Sequence, residues 1–425
     1  MTVKEVVVVG AGGDMARVAV ARLLALRGDC RMTLADRDLE RARRLASSLG
    51  GERLVPRHVD IFDRPLLVEV IAGADLVVNC TGPYYRTAKA VLEACIAAGA
   101  DYVNMCDDED SALSMLTLGR EAHERGLTAL ICCGIAPGLV NVLARAAADE
   151  LDAFEDIELA WVSGQAPPGE DRPAGSAGVI EHMLHCCVGM CATVRDGTRT
   201  YIPAFKLGRV IDFPPPLGPY RVFELGHAEP ATIPRFMPGL RNLRTMGAIY
   251  PPFLNGLFRG IAGQVTRGSV DMGEAVGFIA ALDRGERPSG LRPFLGLLSG
   301  TLGQLLSGEI GPGDLRGLIQ AATGRLQAEA LGGIHVSVSG VKDGRRACVS
   351  VSEASVQGAG EGSMDIDVVT GTCLAAFASL MLEGEVAGKG VTAPEACVDP
   401  RRYLDELKRA LPEYDMRLDL RLTWL

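Results

Sequence analysis

A glycine-rich segment near the start of the chain has the residue types of a phosphate-binding turn. Gly10, Gly12 and Gly13 follow a run of valines and precede a segment with helical spacing. Gly10 permits a tight turn, Gly12 lets the backbone approach a pyrophosphate, and the first amides of the helix favour its charge. The third glycine of the dinucleotide fingerprint falls at Met15, so the match is incomplete. The segment predicts dinucleotide contacts at Gly10, Gly12, Gly13, Asp14 and Met15.

An acidic residue ends the second apolar run, where a dinucleotide-binding fold places a ligand for the adenosine ribose. Asp36 can accept hydrogen bonds from the ribose hydroxyls and would repel a 2′-phosphate, which favours NAD. Arg37 follows directly and could instead hold that phosphate through a bidentate contact, as NADP would require. Asp36 could also cap the next helix. The two side chains predict NAD or NADP as the cofactor, with NAD favoured.

Two further segments close apolar runs at positions where open parallel sheets bind ligands. An acidic and an apolar residue close the third run, where such a pair usually brackets an adenine. The fourth run ends in a turn with a glycine, which would allow close approach of the backbone to the cofactor, and a proline, which stiffens the turn. An ordinary turn between a strand and a helix is the alternative for the fourth run. The cofactor contacts predicted here are Asp60, Ile61, Cys80, Thr81, Gly82 and Pro83.

Three side chains are candidates for contacting a substrate or moving a proton. Tyr84 follows the proline of the turn and could flank a cofactor ring or bond a substrate. Asn141 lies in the first turn of a helix after a Pro-Gly pair and could reach a bound ligand. His182 and His185 share one helix face, and His185 is the predicted general acid or base. Core packing, capping and interface roles are the alternatives. No metal site is predicted, because the histidine pair has no clear third ligand.

Four other polar residues are further candidates for a substrate-binding site, on weaker sequence evidence. Asp107 and Asp108 end the fifth apolar run, where they could bind a substrate ammonium or cap the following helix. His227 and Arg235 lie in a segment predicted to be a polar loop. An arginine can bind a substrate carboxylate through two parallel hydrogen bonds. The alternative for both His227 and Arg235 is a position on the surface without a role in binding.

The elements that must position these residues alternate in type through the first third of the chain. Near-continuous apolar runs suit parallel strands covered on both faces, and the segments between them have apolar residues at helical spacing. This alternation predicts a doubly wound α/β sheet of the Rossmann type. The predicted strands are 5–9, 31–35, 54–59, 75–79, 101–105 and 128–132, and the predicted helices are 14–27, 38–49, 65–72, 85–98 and 111–125.

After residue 149 the pattern changes to that of an α+β domain with a mostly antiparallel sheet. Strands are predicted at 157–163, 199–207 and 220–225, a helix at 178–192, and a hairpin around Asp343-Gly344. A long helical insert is predicted at 239–330, and a buried helix at 370–382 precedes a last helix at 400–410. The prediction is a Rossmann domain formed by 1–149 and 368–425, with 150–367 as an inserted α+β domain for substrate binding and dimerisation.

The bulk composition excludes some classes of partner. The chain has 425 residues and a net charge of -10, without the basic surface that nucleic acid binding needs. The start of the chain reads as a strand rather than a signal peptide, and no apolar stretch is judged long enough to cross a bilayer. The 12 cysteines lie mostly in apolar runs, as reduced buried thiols do. A cytoplasmic location and no integral membrane segment are expected.

Four segments carry a resemblance to the saccharopine dehydrogenase-like oxidoreductases. They are VVVVGAGG near the start, DLVVNCTGPYY at 75–85, GIAPGLVNVLA at 134–144 and GTCLAAFASLMLEGEVAGKGVTAPE at 371–395. The resemblance implies a substrate domain inserted into the Rossmann domain, with C-terminal helices packed back onto it. Members act on a carbon bonded to nitrogen, commonly in amino acids or polyamine precursors, and are often dimers. Met15 and the Cys106-Asp107-Asp108 segment depart from the family pattern.

The residues and the resemblance together predict an NAD(P)-dependent oxidoreductase. The expected reaction is hydride transfer at a C–N bond of an amino-acid-derived amine or imine, with the substrate between the Rossmann crevice and the inserted domain and with a homodimer as the assembly. One alternative is a reductase of a C=C bond in a lipid-like substrate, for which the apolar parts of the insert would shape a tunnel or contact a membrane surface. The other alternative is a non-catalytic dinucleotide-binding protein.

Overall fold

Apolar strands and amphipathic helices alternate through the first third of the chain, and they fold as one part of a two-unit protein. The computed structural model describes residues 3–164, 177–284, 286, 288–322, 330–357, 366–414, 416 and 418–425. Unit 1 comprises Met1–Glu150, Ala231–Pro238 and Asp367–Arg417, and unit 2 comprises Leu151–Pro230, Gly239–Ile366 and Leu418–Leu425.

Strands and helices are numbered along the chain. The strands are β1 (Lys4–Val9), β2 (Cys30–Asp36), β3 (Leu54–His58), β4 (Leu76–Asn79), β5 (Asp101–Asn104), β6 (Thr128–Leu130), β7 (Ala153–Gly164), β8 (Met190–Arg195), β9 (Thr198–Pro203), β10 (Gly208–Asp212), β11 (Pro219–Glu224), β12 (Asn242–Tyr250), β13 (Ala330–Lys342), β14 (Arg345–Gln357), β15 (Gly390–Thr392) and β16 (Arg421–Trp424). The helices are α1 (Asp14–Leu26), α2 (Leu39–Ser48), α3 (Arg64–Ile71), α4 (Tyr84–Ala98), α5 (Glu109–Leu116), α6 (Gly119–Glu124), α7 (Leu139–Asp149), α8 (Ala177–Cys187), α9 (Glu229–Phe236), α10 (Phe253–Thr266), α11 (Met272–Asp283), α12 (Leu291–Leu306), α13 (Pro312–Ala322), α14 (Ile366–Glu383), α15 (Pro394–Cys397) and α16 (Pro400–Ala410).

Unit 1 is built on a seven-stranded parallel sheet in the order β15-β6-β5-β4-β1-β2-β3. Its central strands are apolar along their length, and the four valines that end β1 are buried. The direction of winding reverses between β1 and β4, so the carboxyl ends of these strands border the crevice where such sheets bind ligands. The predicted fold class, a doubly wound α/β sheet, is confirmed.

The unit 1 elements differ from the prediction in two places. The helix predicted at 111–125 is two helices, α5 and α6, because the chain turns where the amide of Leu118 donates to the carbonyl of Met115. The segment that follows α14 contributes β15, whose Gly390 lies opposite Thr128 at the edge of the sheet. The C-terminal part of the chain therefore completes the Rossmann sheet with a strand as well as with helices.

Helix α14 is the most apolar helix of unit 1. It is 18 residues long, and by length and composition alone it could cross a membrane, which the sequence analysis did not anticipate. Two-thirds of it (67%) is buried inside the protein, as is usual for a core helix. Gly371 makes this packing possible, since a Cβ atom there would lie 2.6 Å from the Met15 carbonyl oxygen of α1. The ring of Phe377 stacks on Tyr403 of α16, with centroids 4.1 Å apart.

Unit 2 contains a mixed, mostly antiparallel sheet in the order β10-β11-β12-β7-β13-β14-β16, with β8 and β9 attached to β12. Among the described pairs only β12 with β7 is parallel. The predicted hairpin is present as β13 and β14, and its turn places Asp343 at φ 50° and Gly344 at φ 71°. Two consecutive positive φ values are typical of a type I′ turn, which matches the twist of the strands.

Four predictions for this region and the C-terminus are corrected by the structure. The insert predicted to be helical over 239–330 instead contains the strand β12, which pairs with β7 along its whole length. Residues 323–329 of this insert lie outside the described residues. The helix predicted at 178–192 ends at Cys187, because Gly189 is left-handed and β8 begins at Met190. Strand β10 was not predicted. The Rossmann domain does not run to residue 425, since β16 pairs with β14 in unit 2.

Helices α10 and α12 of unit 2 pack together through glycines. A Cβ atom on Gly260 would lie 1.9 Å from the carbonyl oxygen of Gly296, and one on Gly300 would lie 1.9 Å from that of Gly256. The other side of α12 is apolar and faces outward, with large side chains that are between 46% and 80% exposed. We call these side chains the α12 stripe. They are Leu291, Phe294, Leu295, Leu298, Leu302 and Leu306.

Candidate functional site

The glycine turn lies at the carboxyl end of β1, against the end of β4. Gly10 has a φ of +80°, and a Cβ atom there would lie 2.9 Å from both the carbonyl carbon and the oxygen of Cys80. Its amide donates to the Ala35 carbonyl of β2 at 2.8 Å. Gly10 is thus required both by its conformation and by the close approach of the neighbouring strand.

Asp36 holds this turn through the backbone of Gly12. The Gly12 amide donates to Asp36 Oδ2 at 2.8 Å, and the Asp38 amide donates to Asp36 Oδ1 at 2.7 Å. A Cβ atom on Gly12 would lie 2.8 Å from Cβ of Arg41, so this position also excludes a side chain. The carboxylate therefore links the turn to the start of α2, at the carboxyl end of β2 where a ribose ligand is expected.

Helix α1 begins without a side-chain cap. Its N-cap is Gly13, which has an extended conformation. Because glycine has no side chain, no side chain at the N-cap bonds the first amides of α1. Gly13 and Asp14 are exposed, and Met15 is half-buried. Uncapped amides at a helix N-terminus suit a phosphate, since both the N–H groups and the helix dipole favour negative charge.

The other predicted dinucleotide contacts also lie at the carboxyl ends of unit 1 strands. Arg37 is exposed at the end of β2, and Asp60 and Ile61 are half-buried just beyond β3. Asp60 Oδ1 accepts the Phe62 amide at 3.0 Å, which fixes the turn into α3. The amide of Val59 donates to the carbonyl of Asp36, so these two strand ends are neighbours. Their side chains fit an adenosine at this edge of the sheet.

The turn after β4 is held by Asn79. Its Oδ1 accepts the Thr81 amide at 3.0 Å and the Thr81 hydroxyl at 2.7 Å. Gly82 is exposed, with open space where a Cβ atom would stand, and Pro83 is the residue before α4. Burial raises the pKa of Cys80 to about 12, so its thiol stays protonated at neutral pH. Cys80 contributes shape to the crevice rather than a nucleophile.

Tyr84 is the first residue of α4 and is buried beside this turn. Its hydroxyl lies 3.5 Å from the Asn79 carbonyl oxygen, and burial raises its pKa well above the usual value. Behind it, the Tyr102 hydroxyl accepts from the amides of Asn79 and Asn104, both at 2.9 Å. The sequence analysis missed this network. The sequence feature that could have indicated this network is an asparagine at the end of each of two strands, β4 and β5.

The carboxylates after β5 form a different contact from the one predicted. Asp108 precedes α5 but does not cap it; its Oδ2 accepts the Tyr85 amide in the first turn of α4, at 3.1 Å. Asp108 is buried, and Asp107 is half-buried and close enough to raise the pKa of Tyr84 further. Two carboxylates therefore lie next to the crevice residue Tyr84.

Asn141 is fully buried at the start of α7. Its Oδ1 accepts the Gly138 amide at 3.0 Å, and its Nδ2 donates to Glu395 Oε2 of α15 at 2.9 Å. Both ends of the amide are thus engaged inside unit 1. This geometry favours the capping alternative over the predicted ligand contact, because no face of the side chain is exposed.

Three histidines of unit 2 lie on α8 or near it. His185 and His182 are half-buried on this helix, and His182 Nε2 lies 3.4 Å from Cys186 Sγ. His227 is buried, contrary to the surface placement considered for it, and its Nδ1 lies 2.7 Å from Oε2 of the buried Glu229. The His227 ring is 6.4 Å from that of His182. A carboxylate on one ring nitrogen orients a histidine for proton transfer at the other.

Arg235 is also placed differently from the prediction. It is exposed on α9 rather than in a loop, and its guanidinium lies 5.8 Å from the centre of the Phe236 ring. Pro230 lies near the start of α9, where proline is tolerated, and Pro234 lies inside the helix.

Replacing Gly10 with alanine tests the turn directly. We expect a loss of about 1–3 kcal/mol in stability, from the left-handed φ and the overlap with Cys80, and at least about a tenfold loss of dinucleotide affinity. Isothermal titration calorimetry and urea unfolding measure the two effects. Gly28→Ala is the matched control, since a Cβ there meets no atom within 4 Å and its φ is not left-handed. Unchanged dinucleotide binding in Gly10→Ala would contradict the assignment.

The sequence of this region matches a known family. Residues 6–130 match the family model described as the saccharopine dehydrogenase NADP binding domain. Over these residues, the chain is similar to the dinucleotide-binding domain of the saccharopine dehydrogenase-like family. The resemblance seen in the sequence is thereby confirmed, and a nicotinamide dinucleotide is supported as the cofactor.

Two curated relatives and one solved structure are similar to this chain. Carboxynorspermidine synthase of Vibrio cholerae serotype O1 is 25% identical over 264 residues, which cover 55% of this chain and 60% of the relative. A trans-acting enoyl reductase of Mycobacterium leprae is 27% identical over 175 residues, which cover 38% of this chain and 42% of the relative. The matches thus span at most 60% of these relatives.

Apo histidine-tagged saccharopine dehydrogenase (L-Glu forming) from Saccharomyces cerevisiae has a similar structure, with a TM-score of 0.64 at 18% identity. The similarity covers 99% of this chain and 100% of the yeast chain. At this level of identity, the similarity shows the fold.

Proposed function

We propose that this protein is an NAD-dependent oxidoreductase that transfers a hydride at a C–N bond of an amino-acid-derived substrate, by imine reduction or amine oxidation. The family of residues 6–130 supports the dinucleotide, and the similarity to carboxynorspermidine synthase supports a substrate with a C–N bond. The position of Asp36 supports NAD over NADP, because its carboxylate would repel a 2′-phosphate.

The observation that carries the choice of a C–N bond is the pair of carboxylates beside Tyr84. Asp107 and Asp108 follow β5, the strand next to β4, and Asp108 is tied to the first turn of α4. Carboxylates at the reacting end of a dinucleotide crevice favour a cationic group, such as an ammonium or an iminium, over a neutral carbonyl. Tyr84 lies at the same place and can donate a hydrogen bond, since its raised pKa keeps it protonated.

The roles of the protein side chains follow from this placement. A bound nicotinamide dinucleotide supplies or accepts the hydride. The uncapped start of α1 and the Gly10 turn bind its pyrophosphate, and Asp36 binds the ribose. The sequence assigns the accompanying proton to His185, and this stays a prediction. His227 is a second candidate, because its contact with Glu229 orients the ring.

Asp107→Asn tests the role of the carboxylates without changing side-chain size. We expect kcat/KM for an amine substrate to fall about ten- to hundredfold, because a charged contact is worth roughly 1.5–3 kcal/mol, while the Kd of the dinucleotide stays constant. Steady-state assays over a panel of amino acids and polyamines, with NAD and NADP, measure the effect. Asp110→Asn, an exposed carboxylate in the first turn of α5, is the control. Failure to bind either dinucleotide in calorimetry would exclude the whole proposal.

The second candidate function is reduction of a C=C bond in a lipid-like substrate. The similarity to trans-acting enoyl reductases supports it, and so does the exposed apolar α12 stripe, a surface that monomeric proteins seldom leave in water. The stripe lies in the insert from which the sequence analysis predicted an apolar contact surface. Under this alternative, the stripe would contact the apolar part of the substrate.

The double variant Leu298→Gln and Leu302→Gln separates the two functions. Both side chains are about half exposed, so we expect the fold to be retained. If the substrate is lipid-like, turnover of an enoyl substrate with a long acyl chain should fall by about thirtyfold, since each of the two lost apolar contacts is worth roughly 1 kcal/mol. If the substrate is an amine, kcat/KM for the amine should not change. Tight dinucleotide binding without turnover on either panel would favour the non-catalytic alternative.

We also propose that the protein is a homodimer, as its family resemblance implies. Sedimentation equilibrium at micromolar concentration tests this proposal. A mass near 44.9 kDa, that of one chain, would contradict it.

A further inference from the structure

One face of the unit 2 sheet carries a charged pocket that the proposed function does not use. Its volume is about 210 Å³, and it lies where β10, β11 and β12 meet the end of β8. The side chains that line it include Arg195, Leu207, Arg209, Glu224, Arg244 and Met246.

The strand register explains why these side chains converge. Glu224 of β11 lies opposite Met246 of β12, and Arg244 lies opposite Glu158 of β7. Side chains alternate between the two faces of a strand, so Glu158 and Trp161, three residues apart, point to opposite faces. Trp161 is the residue whose ring lies 5.7 Å from that of His227. The pocket is therefore on the other face of the sheet from the histidines discussed above.

Glu224 forms the floor of the pocket and is incompletely bonded. It is only 5% exposed, and among the described residues its Oε2 has no hydrogen-bond partner. Its Oε1 lies 3.8 Å from Arg244 Nε, which is too long for a hydrogen bond. A buried carboxylate oxygen without a donor is costly, and a ligand that brings an N–H or O–H group would satisfy it.

Three arginines line the pocket together with this carboxylate. Arg209 bonds Glu158 Oε2 at 2.9 Å, and Arg195 and Arg244 are exposed. When Glu158, the partner of Arg209, is counted with Glu224, the three arginines leave one excess positive charge. Arginine matches the planar geometry of a carboxylate better than lysine does, which makes the rim suitable for an organic acid.

We propose that this pocket binds a small organic acid that carries an amine or hydroxyl group next to its carboxylate. The carboxylate of the ligand bonds Arg195 and Arg244, and its N–H or O–H group donates to Glu224 Oε2. A volume of about 210 Å³ is large enough for a compact amino or hydroxy acid. The pocket is formed by unit 2 residues alone, and its proposed ligand does not depend on the proposed reaction.

Isothermal titration calorimetry of the full chain with L-glutamate, L-malate and inorganic sulfate tests the proposal. We expect glutamate or malate to bind, and Arg244→Gln to weaken this binding about ten- to hundredfold, as the loss of a charged hydrogen bond predicts. Glu224→Gln should weaken glutamate and malate binding but should not weaken sulfate binding, because sulfate carries no O–H group at neutral pH and cannot donate to that oxygen.

Arg221→Gln is the matched control. Arg221 is exposed on the same strand as Glu224, three residues away and hence on the other face, and its loss should leave binding unchanged. The proposal is overturned if neither acid binds at millimolar concentration, or if Arg244→Gln and Arg221→Gln have equal effects. Sulfate binding as tight as that of the two acids, with no effect of Glu224→Gln on either acid, would also overturn it.

Discussion

Replacing Asp36 with alanine is expected to shift the dinucleotide preference of the protein from NAD toward NADP. The carboxylate that would bond the ribose hydroxyls is lost, and hydrogen bonds to a charged group are worth roughly 1.5–3 kcal/mol. We therefore expect kcat/KM with NAD to fall about ten- to hundredfold. The repulsion of a 2′-phosphate is lost as well, so the value with NADP should rise. Steady-state kinetics with both dinucleotides give the ratio directly.

Two arginines near Asp36 are able to bind the 2′-phosphate of NADP in the Asp36→Ala variant. Arg37 is exposed at the end of β2, and Arg41 lies beside Gly12 with its side chain 61% exposed. Arg41 interacts with Asp38 only at 3.5 Å, so its guanidinium is able to move toward a phosphate. Adding Arg41→Gln to Asp36→Ala should remove most of the gain in NADP use.

Asp36 also bonds the amides of Gly12 and Asp38, so a control must separate cofactor recognition from damage to the turn. Asp63→Ala provides it, because Asp63 caps α3, the helix after the neighbouring strand β3, by accepting from the amide of Leu66. Loss of this cap should cost about 1 kcal/mol in stability and leave the NAD to NADP ratio unchanged. If Asp36→Ala and Asp63→Ala change the ratio equally, the assignment of Asp36 to the ribose is wrong.

The Rossmann strands were predictable because their signal is local. Strands β1 to β6 are short apolar runs between helical segments, and each can be recognised without knowledge of its neighbours. Strand β15 lacks such a signal. It has three residues and exists because Gly390 pairs with Thr128, more than 260 positions earlier in the chain. Pairing at that distance is decided by tertiary packing, which local patterns do not encode.

The strand β12 shows how a segment without a clear local pattern can be misassigned. Residues 242–250 combine small and apolar side chains without a clear period, followed by a helical segment, and the whole region was read as helical. The deciding contact is Gly247, where a Cβ atom would lie 2.4 Å from the Trp161 ring of β7. The close approach of β7 determines the conformation, and Trp161 lies 86 residues away in the sequence.

The parts of the candidate site that depend on backbone geometry were predictable from the sequence. The parts that depend on contacts between side chains were less predictable. Gly10 and Gly12 are identified by type, because only glycine fits their geometry. The asparagine–tyrosine network behind Tyr84 and the burial of His227 depend on packing between distant elements. Asn141 is an intermediate case, since its position at a helix start was correctly read but its partner Glu395 was not foreseen.

Replacing Asn141 with alanine is expected to destabilise unit 1 by about 2–4 kcal/mol. The change removes two buried hydrogen bonds, one to the Gly138 amide and one to the carboxylate of Glu395. Each buried group that loses a partner costs roughly 1–3 kcal/mol, and more when it is charged. Urea unfolding followed by hydrogen exchange of the α7 amides measures the loss. Arg145→Ala on the exposed side of α7 breaks only a surface ion pair with Asp149, and should cost at most about 0.5 kcal/mol.

The same variant distinguishes a positioning role of Asn141 from a direct ligand contact. A ligand contact predicts a raised KM for the substrate with little change in stability, whereas the buried geometry predicts the reverse. A double-mutant cycle with Glu395→Gln sharpens the test. If the two side chains act through their mutual bond, the double variant should be less destabilised than the sum of the single variants by about 1–3 kcal/mol. Additive effects would show that the bond between Asn141 and Glu395 does not hold α15 against the start of α7.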